Sequence, residues 1–162
     1  MKKILVFSDS HGYKEGVDLL FNRIDEFDYV YFLGDGYGDV EDYRNAFPDK
    51  VEAVLGNCDR YFDGTTAIVN KVEGVTFLLT HGHEYHVKHT YDLLLYTAEK
   101  KNADCVLFGH THYPADFYQE NVRFINPGAL GNAYFRGTYA VLTVNGENLV
   151  HEQFDLADLQ DS

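Results

Sequence analysis

Five short apolar runs, each ended at once by a loop rich in Gly, Asp, Asn and His, constrain this chain more than any other feature. They are Lys3-Ile4-Leu5-Val6-Phe7, Tyr29 to Leu33, Val51 to Leu55, Val75 to Thr80 and Asp104 to Phe108. Runs of this length and apolarity read as buried strands, and the stretches between them read as helices. Val17, Leu20, Phe21, Ile24 and Phe27 are spaced for one helical face. Val40, Tyr43 and Phe47 mark a short helix stopped before Pro48, and a helix beginning near Thr90 buries Tyr91, Leu94, Leu95 and Ala98. Thr65 to Asn70 and Val75 to Thr80 form a strand-turn-strand with Glu73-Gly74 at the turn. Strands alternating with amphipathic helices predict an α/β layered domain.

The last third changes character. Asp116 to Tyr118, Val122 to Ile125, Thr138 to Val144 and Leu149 to Phe154 read as strands, with Asn145-Gly146 supplying the positive-φ residues of a tight hairpin. Asn126-Pro127-Gly128 is most simply a turn, with a loop near the site as the alternative, and the acidic tail from Asp155 to Ser162 is expected to fray. The expectation is one domain over residues 1–162, with βα units first and then antiparallel strands that make a second sheet.

Charge narrows the function. Thirteen Lys and Arg against twenty-six Asp and Glu leave −13, a surface that repels phosphate backbones and anionic lipid. Stable nucleic-acid binding is therefore disfavoured, as is membrane association. The apolar run after Met1-Lys2-Lys3 is too short for a signal peptide, and no run approaches a membrane span. Cys58 and Cys105 do not form a disulfide framework. A cytoplasmic protein is expected.

The chemistry lies in the loops. Asp9-Ser10-His11, Gly34-Asp35, Gly56-Asn57-Cys58-Asp59, Thr80-His81-Gly82-His83 and Gly109-His110-Thr111-His112 each follow an apolar run. Ligands of open α/β sheets bind at the carboxyl ends of strands, so the five loops are expected to converge. Carboxylates, imidazoles and one amide make a mixed N/O site for divalent transition metals. Asp9, His11, Asp35, Asn57, His81, His110 and His112 are more ligands than one tetrahedral ion requires. Two ions sharing one carboxylate account for them, and such a pair clamps a phosphoryl group and generates hydroxide at neutral pH. Two divalent ions with two aspartates leave a local charge of about +2, which attracts a phosphate ester despite the acidic surface.

The ordered set D-x-H, G-D, G-N-x-D, H, G-H-x-H resembles the calcineurin-like metallophosphoesterase superfamily. The small size and Cys58 within Gly-Asn-Cys-Asp make the chain most similar to its YfcE-like prokaryotic phosphodiesterase branch. The matches run from Asp9 to His112. The resemblance implies an α-β-β-α sandwich of two packed mixed sheets flanked by helices, an α/β (α+β) fold whose second sheet takes the final strands. It implies one ion on Asp9, His11, Asp35 and His112, and a second on Asp35, Asn57, His81 and His110, with Asp35 as the bridge. A bridging hydroxide would attack phosphorus in line. The ions are expected to be manganese, with iron, zinc or nickel as alternatives, and the substrate a small phosphodiester. The family usually carries His directly after the metal-binding Asn; here it is Cys58, which leaves the proton donor open, with Cys58 and His83 as candidates and Asp59 behind them.

Plainer readings exist for each residue. Asp9 and Asp35 can cap helices, and Asn57 can be turn chemistry. His110 and His112 can be ordinary loop histidines, and Cys58 reads as passive lining more than as a substrate contact. His83 is balanced between a substrate role and a plain loop role; His86 and His89 read as surface residues, and Cys105 as core. Competing functions are a catalytically silent interaction scaffold of the same fold, a phosphomonoesterase or nucleotidase, and a metal-dependent hydrolase of a non-phosphate substrate. A complete ligand set argues against the scaffold. A homo-oligomer is compatible with the sequence.

Overall fold

The computed structural model describes residues 1–132, 134–135 and 137–160. Strands β1 (Lys2–Phe7), β2 (Tyr29–Phe32) and β3 (Val51–Ala53) run parallel, joined by helices α1 (Lys14–Phe21) and α2 (Tyr37–Ala46). Strands β4 (Ala67–Val72) and β5 (Val75–Thr80) form the expected hairpin, and α3 (Asp92–Lys100) crosses from β5 to its parallel neighbour β6 (Cys105–Leu107). β7 (Pro114–Gln119), β8 (Val122–Pro127), β9 (Thr138–Asn145), β10 (Asn148–Asp155) and α4 (Leu156–Gln160) complete the order. Two five-stranded sheets result, β10-β9-β1-β2-β3 and β4-β5-β6-β8-β7. Both are mixed, they pack face to face, and helices cover their outer faces: the α-β-β-α sandwich that the resemblance implied.

Side-chain alternation builds three apolar layers. In β1, Leu5 and Phe7 pack under α1 and α2 while Ile4 and Val6 face the other sheet. In β5, Phe77 and Leu79 join that inter-sheet layer, and Leu78 faces α3 with Leu94, Leu95 and Ala98. Both faces of these strands are covered, which is why their sequences are continuously apolar. Truncating one such residue to Ala costs about 2–5 kcal/mol. Cys105 is in the inter-sheet core, as expected.

The final strands depart from expectation. β9 and β10 return to the first sheet, where β9 pairs antiparallel with β1. The reason is burial: β1 is apolar on both faces and needs a neighbour on each side, so it is not an edge strand. The second sheet is instead completed by β7 and β8. The turn between β9 and β10 is Gly146-Glu147, because Asn145 still pairs with Asn148; Gly146 alone has the positive φ, +61°. The single helical face from Val17 to Phe27 is also divided. α1 stops at Phe21, Ile24 starts a short 3-10 turn, and Phe27 is extended. The chain turns there so that the Asp28 amide can donate to the Lys3 carbonyl (2.8 Å) and enter β2.

The tail does not fray where it was expected to. Leu156 is fully buried in the layer under α1, its amide donates to the Gly137 carbonyl (2.9 Å), and Leu156–Gln160 is helical. Residues 161 and 162 lie outside the described residues. Among the described residues no helix is long and apolar enough to cross a membrane.

Candidate metal centre

The parallel strands β1, β2 and β3 end next to one another, so Asp9, Asp35 and Asn57 leave the sheet along one edge. β5 and β6 deliver His81 and the Gly109–His112 loop from the second sheet. The loops are stitched by backbone. The Asp9 amide donates to the Gly34 carbonyl (2.9 Å), His11 to Asp35 (2.9 Å), and Gly109 to His81 (3.0 Å). Across the sheets, the His110 amide donates to Asp9 Oδ2 (3.2 Å).

The geometry explains the glycines in the motif. A Cβ on Gly56 would lie 2.2 Å from Asp35 Oδ1, and one on Gly109 would lie 2.2 Å from Ser8 Oγ and 2.8 Å from Asp9 Oδ2. Each loop must pass that close to a carboxylate. Asp9, His11, Asp35, His110 and His112 also adopt positive φ, between +41° and +71°. L-residues rarely hold that conformation, and it concentrates at functional sites.

Six side chains named in the sequence come together. Asp9, His11 and His112 offer ligand atoms within 4.8 Å of one another, and so do Asp35, His81 and His110. The two clusters touch: His11 Nε2 is 3.5 Å from Asp9 Oδ1 and 3.8 Å from Asp35 Oδ2. His112 Nε2 is 3.2 Å from Asp9 Oδ1, and His81 Nε2 is 3.2 Å from Asp35 Oδ2. Cys58 Sγ forms a third such group with His11 and Asp35, a position the sequence did not assign it. Asn57 is exposed on the same loop, its amide nitrogen 3.6 Å from Cys58 Sγ. His83 lies beside His81 and His110 (ring centroids 5.5 and 6.2 Å) but outside both clusters. His86 and His89 are exposed, as expected.

Electrostatics favours a cation here. His81 is fully buried and its Nδ1–H donates to the Leu33 carbonyl (2.8 Å), which leaves the Nε2 lone pair facing Asp35. Asp9 Oδ1 and His81 Nε2 are both buried without a hydrogen-bond partner. Acceptors facing one another are unfavourable unless a proton or a metal ion lies between them. Burial opposes the His81 imidazolium, but Asp35 and Asp9 outweigh it and raise its pKa. The Asp9 carboxylate, 3.5 Å from His11 Nε2, raises that of His11. Burial works against both carboxylates, yet His81 and the Cys58 amide hold Asp35 well below the carboxylate range, and His11 and His81 lower Asp9. His110 is pushed down to about 4 by burial and by His81 and Lys88, so it is neutral and free to ligate near pH 7. Burial and His81 lower His83 as well, while burial and Asp35 raise the Cys58 thiol.

Three supporting residues were missed or misread. Asp59 is buried, and its carboxylate accepts the amides of Asp35 (2.7 Å), Gly56 (2.8 Å), Gly36 (3.0 Å) and Tyr37 (3.0 Å). It pins two metal-site loops and the start of α2, and is not placed as a proton donor. Asn126 lies within β8, not in a turn; its amide donates to the Gly109 carbonyl (3.1 Å) and Thr111 Oγ1 (3.0 Å), bracing the histidine loop. The adjoining Pro127-Gly128 hid that role. Ser8 donates its hydroxyl to Asp9 Oδ2, and its place at the end of an apolar run gave no signal.

The comparisons agree with this geometry. The model of the calcineurin-like phosphoesterase superfamily domain matches residues 1–147. The probable metallophosphoesterase YsnB of Bacillus subtilis is 31% identical over 157 residues, covering 95% of this chain and 91% of that protein. A predicted phosphoesterase from Streptococcus pneumoniae TIGR4 superposes with a TM-score of 0.82 at 24% identity, over 96% of this chain and 90% of that one. Vps29 of Chaetomium thermophilum shares the fold at a TM-score of 0.75 and 17% identity, over 95% and 96%. With two His/Asp clusters on the loops of a two-sheet sandwich, and a family match spanning nearly the whole length, the chain belongs to the calcineurin-like phosphoesterase superfamily.

Proposed function

We infer that the chain is a metal-dependent phosphodiesterase with a dinuclear centre, acting as a single domain on small diesters and not on polynucleotides. One observation carries this reading: buried, partnerless Asp9 Oδ1 and His81 Nε2 aim into a cluster that two carboxylates make strongly negative. A buried polar atom left unpaired costs about 1–3 kcal/mol, and a cation removes that cost. The first ion is assigned to Asp9, His11, Asp35 and His112, the second to Asp35, Asn57, His81 and His110. The two clusters support this division, with Asp35 reaching both His11 and His81.

Bound there, two divalent cations would supply a hydroxide nucleophile by way of a shared water and neutralise charge on the phosphoryl oxygens. The chain's own residues do the rest. Leu33 orients His81 through its carbonyl, and Asp59 holds the Asp35 and Gly56 amides in place. Cys58 keeps its proton and donates only weakly, so substrates with good leaving groups suit the site, and His83, its ring 6.2 Å from that of His110, is assigned to contact a phosphoryl oxygen. The N/O donor set suits manganese, with iron, zinc or nickel as substitutes. Placement in the YfcE-like branch rests on Gly56-Asn57-Cys58-Asp59, and a cytoplasmic setting on two free cysteines.

The test is a panel of bis(p-nitrophenyl) phosphate, p-nitrophenyl phosphate and dinucleotides with each metal. We expect the aryl diester to be the best substrate and Asp35→Asn to abolish its turnover. Preferred monoester turnover would replace this reading with a phosphomonoesterase. A fully metallated but inert protein would favour a scaffold.

A further inference from the structure

Beside the first cluster, a hollow of about 450 Å³ opens between the Asp9–His11 loop, His112-Tyr113, and Ala129, Gly131, Asn132 and Phe135. Its volume is in the range of small-molecule sites. Tyr113 and Phe135 are the large side chains on its rim, and they are 76% and 67% exposed. Three exposed tyrosines elsewhere have a cation beside them: Arg60 lies 5.8 Å from the Tyr61 ring, Lys100 4.9 Å from Tyr96, and Arg123 5.9 Å from Tyr118. Among the described residues, no ring or cation packs on Tyr113 or Phe135.

Hydrogen bonds brace the backbone that carries these rings. Asn132 Oδ1 accepts the amides of Tyr134 (2.8 Å) and Phe135 (2.9 Å), and the Asn132 amide donates to the Phe135 carbonyl (2.7 Å). Gly131 has φ of +95°, and a Cβ there would lie 2.1 Å from that same carbonyl, so the bend admits only glycine. On the other side, the Tyr113 amide donates to Thr111 Oγ1 (3.3 Å), which Asn126 also holds. Two exposed rings are thus mounted on braced loops within the hollow that contains His11 and His112.

We propose that this hollow is the substrate subsite for a planar aromatic ester group, a nucleobase or simple aryl ring received by Tyr113 and Phe135 while the phosphoryl group lies on the Asp9–His112 cluster. The proposal rests on the phosphoesterase reading and adds to it the class of substituent. Flat rings gain from such partners beyond the area they bury, by a factor of about two to ten. A saturated ring of similar size gains only the area.

Non-hydrolysable phosphonates test this by calorimetry on the manganese-loaded protein, independently of turnover. Methylphosphonate reads the phosphoryl site alone. Benzylphosphonate should bind about fivefold tighter than cyclohexylmethylphosphonate, and Tyr113→Ala with Phe135→Ala should erase that ratio. Tyr96→Ala, on the exposed face of α3, should leave it intact. Thymidine 5′-methylenephosphonate binding tighter than benzylphosphonate identifies a nucleobase as the occupant; the reverse identifies an aryl ring. Cyclohexylmethylphosphonate binding as tightly as benzylphosphonate, or a ratio surviving both substitutions, overturns the proposal while methylphosphonate still binds. Failure of every phosphonate to bind overturns the phosphoesterase reading together with the subsite.

Discussion

Replacing Asp59 by Asn changes one atom of the side chain and should damage both the fold and the site. Oδ2 of Asp59 accepts the amides of Asp35 and Gly56, and Oδ1 those of Gly36 and Tyr37. Asn keeps one acceptor oxygen and turns an NH2 toward the other pair of donors. Two amides then lose their partner in a buried setting, at about 1–3 kcal/mol each. The lost carboxylate also faced the first turn of α2, where negative charge is worth about 0.3–1 kcal/mol. With some relaxation, Asp59→Asn should cost about 2–4 kcal/mol. At a urea m-value of about 2 kcal/mol/M, the midpoint should fall by about 1–2 M. Because the same carboxylate sets the backbone of Asp35, manganese affinity should fall about 10–100-fold, as for other groups that orient metal ligands. Urea unfolding followed by circular dichroism, with manganese binding by calorimetry, measures both. A variant within about 0.5 kcal/mol of wild type and with unchanged metal affinity would refute the reasoning.

Four further outcomes follow. Asp35→Asn should remove activity more completely than His83→Ala, because Asp35 is the one ligand assigned to both ions, its carboxylate lying 3.8 Å from His11 and 3.2 Å from His81; equal turnover numbers at saturating manganese would contradict this. In chelator, the Asp35–His81 pair should stabilise the protein fully between the ordinary carboxylate value of 3.8 and the ordinary histidine value of 6.5. The raised His81 pKa means that this contribution is lost as pH rises through it, and the lowered Asp35 pKa that it is lost again in strong acid, whereas stabilisation by added manganese should grow with pH; melting curves against pH with and without metal check both signs. Leu156→Ala should cost about 2–5 kcal/mol, since Leu156 is fully buried; a loss below about 0.5 kcal/mol would restore the frayed tail. Cys58, though exposed, should react with iodoacetamide at pH 7 more slowly than a free cysteine, because burial and Asp35 disfavour its thiolate; faster labelling would reverse the assignment.

The layers and the cluster were legible because both write short-range patterns. Buried strands must be apolar, and ligands must follow them in loops, so Asp9, Asp35, His81 and His110 declare themselves by position alone. What stayed hidden depends on distant partners. Nothing local to Thr138–Asn145 says that β9 pairs with β1; that follows from the double-sided burial of Ile4 to Phe7. Leu156 looked like part of an acidic tail because its apolar contacts come from α1, far away in sequence. Asp59 resembled a reserve catalytic acid because three of its four amide donors come from the distant Asp35-Gly36-Tyr37 stretch and only Gly56 from its own loop. Asn126 sat beside Pro127-Gly128, and a local turn signal outweighed a long-range bond to the Gly109 carbonyl.

The most direct test of a dinuclear phosphodiesterase is to strip the protein with chelator and titrate manganese back while following bis(p-nitrophenyl) phosphate hydrolysis. Calorimetry or metal analysis should find two ions per chain, both lost in Asp35→Asn, and turnover should appear only as the second ion binds. One ion at saturation, or two bound ions without diester hydrolysis, would contradict the account.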